Sequence, residues 1–174
     1  CNLKCPTCTK GNKEGYEHKT GIMDWDMMLA CIDKIYDENK DAIVLLYGNS
    51  EPFLHPRIHE CVKAVTDKGL KCHLSTNCNY VHHVEEVLAA RPELLIISLS
   101  GFTQEVYVKS HAGGDIDKVK VNMKILAQAN TPPVSTLAVS YHLYKDNEHE
   151  IAPMKEYAES LGLNFFVVNA RAIS

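Results

Sequence analysis

The sequence predicts an α/β fold in which a parallel sheet is flanked by helices. Three observations lead to that expectation. Apolar segments of strand length alternate with segments of helical period along the whole chain. Capping residues and helix-stopping glycines and prolines fall between them. Polar residues collect after each strand, at Gly48-Asn49-Ser50-Glu51, Thr76-Asn77, Ser98 to Gly101, Tyr141-His142 and Asn169 to Arg171, so a parallel sheet would bring them to one rim.

Each element has its own signal. Trp25, Met28, Leu29, Ile32, Ile35 and Tyr36 recur with helical period, and Asp24 is placed to cap that helix. The apolar run Ala42 to Tyr47 reads as a buried strand, followed by a turn from Gly48 to Pro52. The helical period returns at Ile58, Cys61, Val62 and Val65 and stops at Gly69. A strand near Lys71 to Ser75, a helix near Val81 to Ala90 and a strand from Leu94 to Leu99 come next. A short helix from Thr103 to Ser110 precedes a longer one with Ile116, Val119, Met123 and Leu126 on its apolar face, capped by Asp115. After Pro132 and Pro133 the chain predicts a strand from Val134 to Val139. A helix through Ile151, Met154, Ala158 and Leu161 ends at Gly162, and a strand from Asn164 to Val168 closes the series. Such alternation implies right-handed crossovers, with the sheet either doubly wound or curved into a barrel.

At 174 residues, without linkers or low-complexity segments, the chain reads as one domain. Its 18 Lys and Arg against 22 Asp and Glu leave a formal charge of −4, and no basic block is interleaved with aromatics. Nucleic acid and anionic membrane surfaces are therefore not expected partners. The longest apolar runs fall far short of the roughly 20 residues of a membrane span. Cys1, not methionine, opens the chain, which reads as a fragment whose preceding segment has been removed.

Seven cysteines is an odd number, and three of them crowd into the first eight residues. That pattern points to metal ligation in a reducing compartment, hence a cytoplasmic location. Cys31 and Cys61 fall on apolar helix faces, where buried, inert thiols are expected; Cys72 and Cys78 are assigned to packing or to lining the site.

The segment Cys1-Asn2-Leu3-Lys4-Cys5-Pro6-Thr7-Cys8 spaces its thiols as CxxxCxxC, so a short loop can fold three thiolates around one centre. With no fourth cysteine nearby, one coordination position stays open for a substrate or cofactor. Two alternatives stand beside this. His18 would complete a closed zinc site of a non-catalytic binding module, and a Cys5–Cys8 redox dithiol would leave Cys1 unexplained.

This spacing, with Asn-Leu-Lys between the first cysteines and Pro6 after the second, resembles the cluster loop of the radical S-adenosylmethionine (SAM) superfamily. Leu46-Tyr47-Gly48-Asn49-Ser50-Glu51-Pro52 is similar to that family's Gly-Gly-Glu-Pro turn, with Ser50 in place of the second glycine. Leu74-Ser75-Thr76-Asn77 resembles a Thr-Asn-Gly strand ending with Cys78 in the glycine's place, and Ile97-Ser98-Leu99-Ser100-Gly101 resembles a Ser-x-Asp-Gly ending. Tyr107 and His111-Ala112-Gly113-Gly114 are similar to a stretch that often holds a SAM-contacting arginine, His111 standing there. Together these features look most like members with a C-terminal SPASM extension.

The resemblance implies a partial (β/α)6 TIM-type barrel of parallel strands with outer helices, residues 1–174 forming the core domain without the strand that precedes the cysteine loop. Lacking that strand, the loop is expected to be poorly anchored. Cys1, Cys5 and Cys8 would hold a [4Fe-4S] cluster. Gly48, Asn49, Ser50 and Glu51 would bind the methionine end of SAM, and Thr76, Asn77, Ser98 and Ser100 its carboxylate or ribose, with His111 beside them. Ser98 and Ser100, two apart on a strand, would face the lumen together. Reductive cleavage of SAM, with a one-electron donor such as flavodoxin or ferredoxin, would yield a 5'-deoxyadenosyl radical that takes hydrogen from a substrate the sequence does not identify, with peptides, sugars and cyclitols as candidates. Tyr141, His142 and Arg171 are expected to reach the substrate, and no residue is assigned acid or base chemistry.

Overall fold

The computed structural model describes residues 1–11 and 21–170. Helix α1 (Trp25–Glu38) begins where the Asp24 carboxylate accepts the Met27 N–H at 3.0 Å, as its capping position requires. Strand β1 (Ile43–Leu45) is shorter than the apolar run suggested. Leu46 still donates to the His73 carbonyl, after which the chain leaves the sheet to build the turn at Gly48 to Glu51. Helix α2 (Ile58–Asp67), strand β2 (Lys71–Thr76), helix α3 (Val84–Ala89) and strand β3 (Leu94–Leu99) follow. Helices α4 (Gln104–Ser110) and α5 (Ile116–Ala129), strand β4 (Thr136–Leu143), helix α6 (Ile151–Ser160) and strand β5 (Asn164–Asn169) complete the order. Among these, no helix is long and apolar enough to cross a membrane.

All five strands are parallel and lie in the order β1-β2-β3-β4-β5. A doubly wound sheet reverses its strand order at a switch point, whereas unbroken sequential order is the path of a barrel wall, so the alternative left open by periodicity is resolved. Side chains alternate between two unlike faces. Cys72, Leu74, Leu95, Ile97, Leu99, Val139 and Tyr141 are buried together with Val62, Val65, Leu88, Met123, Leu126 and Met154 from the helices. On the opposite face the small Ala138 and Ser140 are buried in mid-strand, but His73, Ser75, Ile96, Ser98 and His142 are half-buried and Leu45 and Phe166 exposed, so the large apolar side chains of the core gather on the helix-covered face. Each large side chain buried there contributes about 1.5–3 kcal/mol.

Two sequence expectations are corrected here. Cys31 is exposed, because the stripe that α1 buries runs through Met28 and Ile32 and Cys31 lies off it. Strand β4 continues to Leu143, so Tyr141 and His142 lie inside the strand and the pleat sends them to opposite faces. Tyr141 is fully buried on the core side with its hydroxyl donating to the Asn147 carbonyl at 2.9 Å, and it does not reach the cavity; His142 does. Cys61 and Cys72 are buried as expected, and burial pushes their thiols up to about 11 and about 12, which leaves them inert.

Candidate metal centre and cavity

The cysteine loop is tied down at four places. Leu3 is buried, the Lys4 N–H donates to the Ala112 carbonyl at 2.9 Å, Asn2 Oδ1 accepts from Asn77 Nδ2 at 2.8 Å, and the Thr7 and Tyr144 hydroxyls are 3.3 Å apart. These ties, to the loop after α4 and to the ends of β2 and β4, correct the expectation of a poorly anchored loop. Two consecutive backbone turns, Cys8 N–H to Cys5 carbonyl and Gly11 N–H to Cys8 carbonyl, curl it. Gly11 packs so closely that a Cβ there would come within 2.6 Å of the Cys5 backbone nitrogen, so any side chain at this position must displace the Cys5 backbone.

Cys1, Cys5 and Cys8 are free thiols lining one cavity of about 540 Å³. Among the described residues no three His, Cys, Asp or Glu side chains are already gathered as a metal-binding group. Burial first, and the Cys8 thiol second, raise the Cys5 thiol above its ordinary value, so metal uptake there must release a proton. His18, the ligand of the zinc alternative, lies outside the described residues, as does Arg171.

The ends of all five strands supply the rest of the cavity wall, the shared rim that the polar clusters predict: Tyr47 to Glu51 after β1, Ser75 to Asn77 from β2, Ser98 from β3, His142 from β4, and Val168 to Ala170 from β5. At Gly48 a Cβ would meet nothing within 4 Å, so packing inside the chain gives no reason for a glycine, whereas close approach of a ligand to the backbone does. A donor set of three thiols facing a roomy wall of hydroxyls, amides and open backbone fits an iron–sulfur cluster with SAM beside it.

Glu51 and Thr76, on the cavity wall, are also bound to each other and to neighbouring backbone. Glu51 is 4 % exposed, and its carboxylate accepts from the Phe53 N–H at 3.1 Å, the Thr76 hydroxyl at 2.8 Å and the Asn77 N–H at 2.7 Å. Burial raises its pKa and these hydrogen bonds oppose the rise. Both oxygens are committed within the protein, as is the Thr76 hydroxyl, which also accepts from the Cys78 N–H at 2.9 Å. Glu51 thus shapes the turn whose remaining residues, Gly48, Asn49 and Ser50, face the cavity. Cys78 adopts the left-handed backbone (φ 57°) that glycine would take at this strand ending, held there by Thr76 and by Asn122, whose amide donates to its carbonyl at 2.8 Å.

Ser98 and Ser100 do not act together. Ser98 lines the cavity, 3.5 Å from His142 Nε2, while Ser100 is 1 % exposed and stands behind the wall. Beyond Leu99 the strand has ended, so the two-residue alternation no longer holds. The Ser100 hydroxyl bonds that of Ser110 and lies 2.9 Å from His111 Nδ1. His111 lines the cavity from this support and stacks on Tyr107 with ring centroids 4.7 Å apart. Burial, then nearby His142, lowers its pKa to about 4, so at neutral pH it is an uncharged imidazole, in contrast to the arginine of the resembling motif.

Sequence reasoning missed the residues that hold the rim together. Asn79 donates to the Tyr107 hydroxyl at 2.6 Å and accepts from the Asp115 N–H at 2.7 Å. Asn147 donates to the carbonyls of Ser100 and His142, each at 2.9 Å. Glu150 accepts from the Phe102 and Thr103 N–H groups at 2.6 and 3.1 Å and from the Thr103 hydroxyl. Except for His142, five residues from Asn147, their partners are 28 to 48 positions away, and no local pattern announces such pairs.

The family model of the radical SAM superfamily matches residues 1–158. In sequence the chain is similar to the tungsten-containing aldehyde ferredoxin oxidoreductase cofactor-modifying protein of Pyrococcus furiosus, 26 % identical over 175 residues, covering 97 % of this chain and 48 % of that protein. It therefore spans about half the length of that relative. In fold it is similar to Streptococcus suis SuiB bound to S-adenosylmethionine, with a TM-score of 0.75 at 17 % identity over 100 % of this chain and 39 % of SuiB. SuiB bound to precursor peptide SuiA superimposes equally, with a TM-score of 0.75 at 14 % identity over 98 % of this chain and 37 % of that one.

Proposed function

Because the chain belongs to the radical SAM superfamily, we propose that residues 1–174 form the core domain of an enzyme that binds a [4Fe-4S] cluster through Cys1, Cys5 and Cys8 and SAM in the adjoining cavity. One observation supports this above the others: three free thiols open onto the same cavity as the ends of five parallel strands. When bound, this pair supplies reductive cleavage of the sulfonium and a 5'-deoxyadenosyl radical that abstracts hydrogen from the substrate.

The chain's own residues bind and orient. The backbone from Gly48 to Ser50 offers carbonyl and amide groups to the methionine end of SAM, in a turn that Glu51 keeps in shape. Ser98, backed by His142, offers a hydroxyl to ribose or carboxylate, and neutral His111 accepts or donates one hydrogen bond without adding charge. His142, placed on the open face of β4, is our candidate for substrate contact.

A low-potential flavodoxin or ferredoxin delivers the electron, and the enzyme works in the cytoplasm, where thiols stay reduced. The relative that matches 97 % of this chain modifies a cofactor, and SuiB binds a precursor peptide. We favour a cofactor or peptide over a sugar or cyclitol, with a SPASM-type extension completing the pocket.

Anaerobic reconstitution with iron and sulfide, then dithionite and SAM, tests this reading. Brown protein with about four irons per chain and release of 5'-deoxyadenosine are expected, both lost in Cys5→Ala. A colourless protein holding one tightly bound zinc would overturn it.

A further inference from the structure

Asn77 stands on the cavity wall with its side-chain amide oriented from two sides. Its Oδ1 accepts from the Asn79 N–H at 2.9 Å, and its Nδ2 donates to Asn2 Oδ1 at 2.8 Å. Exchanging oxygen and nitrogen would set donor against donor and acceptor against acceptor, so the assignment is determined by its partners. An amide nitrogen has two hydrogens, and the second is available to Cys1 Sγ, 3.8 Å from Nδ2. The Asn77 backbone is itself held by Glu51, so this donor springs from a stationary strand end.

We propose that Asn77 sets the reduction potential of the cluster by a hydrogen bond to the Cys1 sulfur, an inference that rests on the cluster reading above. It assigns the amide to a cysteine ligand rather than to the SAM carboxylate or ribose. One-electron reduction adds negative charge that the cysteine sulfurs share, and a donor aimed at one of them stabilises the reduced form more than the oxidised form. Among the described residues no lysine or arginine lines this cavity, and the Lys10 side chain beside the Cys1 amino group is common to every variant compared below, so its charge does not enter the difference.

The test is an EPR-monitored redox titration of the anaerobically reconstituted protein without SAM, with iron and sulfide counted in each sample. Asn77→Ala is expected to keep the wild-type iron content while its midpoint falls. The expected loss is three- to tenfold in the reduction equilibrium, or ~30–60 mV for a one-electron couple. Asn77→Asp, which keeps the acceptor for the Asn79 N–H and adds negative charge, falls further. Thr7→Val, which cuts the loop's tie to Tyr144 without touching a sulfur, leaves the midpoint in place. Reduced iron content with an unmoved midpoint in the Asn77 variants would mean that Asn77 only anchors the loop, and overturns the proposal. Full iron content with an unmoved midpoint sinks it as well, while leaving the cluster reading intact. A wild-type protein that assembles no cluster removes both.

Discussion

The Glu51 carboxylate and the Asn77 backbone nitrogen lie 2.7 Å apart, a contact that joins the turn after β1 to the end of β2 beneath the cavity. Glu51→Ala leaves two backbone N–H groups and the Thr76 hydroxyl without their acceptor in a buried place. It is expected to lower unfolding free energy by about 2–4 kcal/mol in urea titrations, and to lose reconstituted iron through displacement of Asn77 and, with it, Asn2.

Glu150→Ala makes the contrast. This carboxylate holds the N-terminal end of α4 through Phe102 and Thr103, away from the cysteine loop. A similar loss of about 2–3 kcal/mol is expected, with iron content per folded chain unchanged. Equal iron loss in both variants would show that the two clamps are not separable.

Gly11→Ala presses a methyl group onto the Cys5 backbone. Gly11 sits at the outer end of the loop, not in the sheet, so the unfolding free energy from urea titration should stay within about 1 kcal/mol of wild type. Reconstituted iron should fall at least about twofold as Cys5 is displaced.

His111 makes the fold acid-sensitive. Its imidazole takes up a proton near pH 6.5 when unfolded and only near pH 4 when folded, so between these values the unfolded chain binds more protons. Its contribution is complete above about pH 6.5 and disappears as pH falls towards 4, on the order of 3 kcal/mol in all. The stability difference between wild type and His111→Asn, measured by denaturant at each pH, should shift by that amount against the wild type on acidification. A difference that stays constant across this range would contradict the buried neutral imidazole.

Much of the architecture was legible because it depends on local patterns. Asp24 and Asp115 cap the helices they precede, since a carboxylate just ahead of a helix meets free N–H groups whatever lies elsewhere in the fold. Cysteine spacing identified the candidate ligands because three donors on one short loop need no distant partner to come together. Tyr141 and His142, in contrast, look alike in the sequence: once β4 runs past Val139, its pleat alone separates a core tyrosine from a cavity histidine.

By itself, then, the sequence determined the alternating elements, the strand-end rim and the cysteine loop, all of which follow from periodicity and short-range spacing. Only the tertiary structure decided that Glu51 turns inward, that Ser100 supports His111 from behind, and that Asn77 reaches Cys1. These are choices among hydrogen-bond partners 11 to 76 residues apart. A buried polar group takes whichever partner the packed chain brings within about 3 Å, and that partner is unknown until the strands are in register.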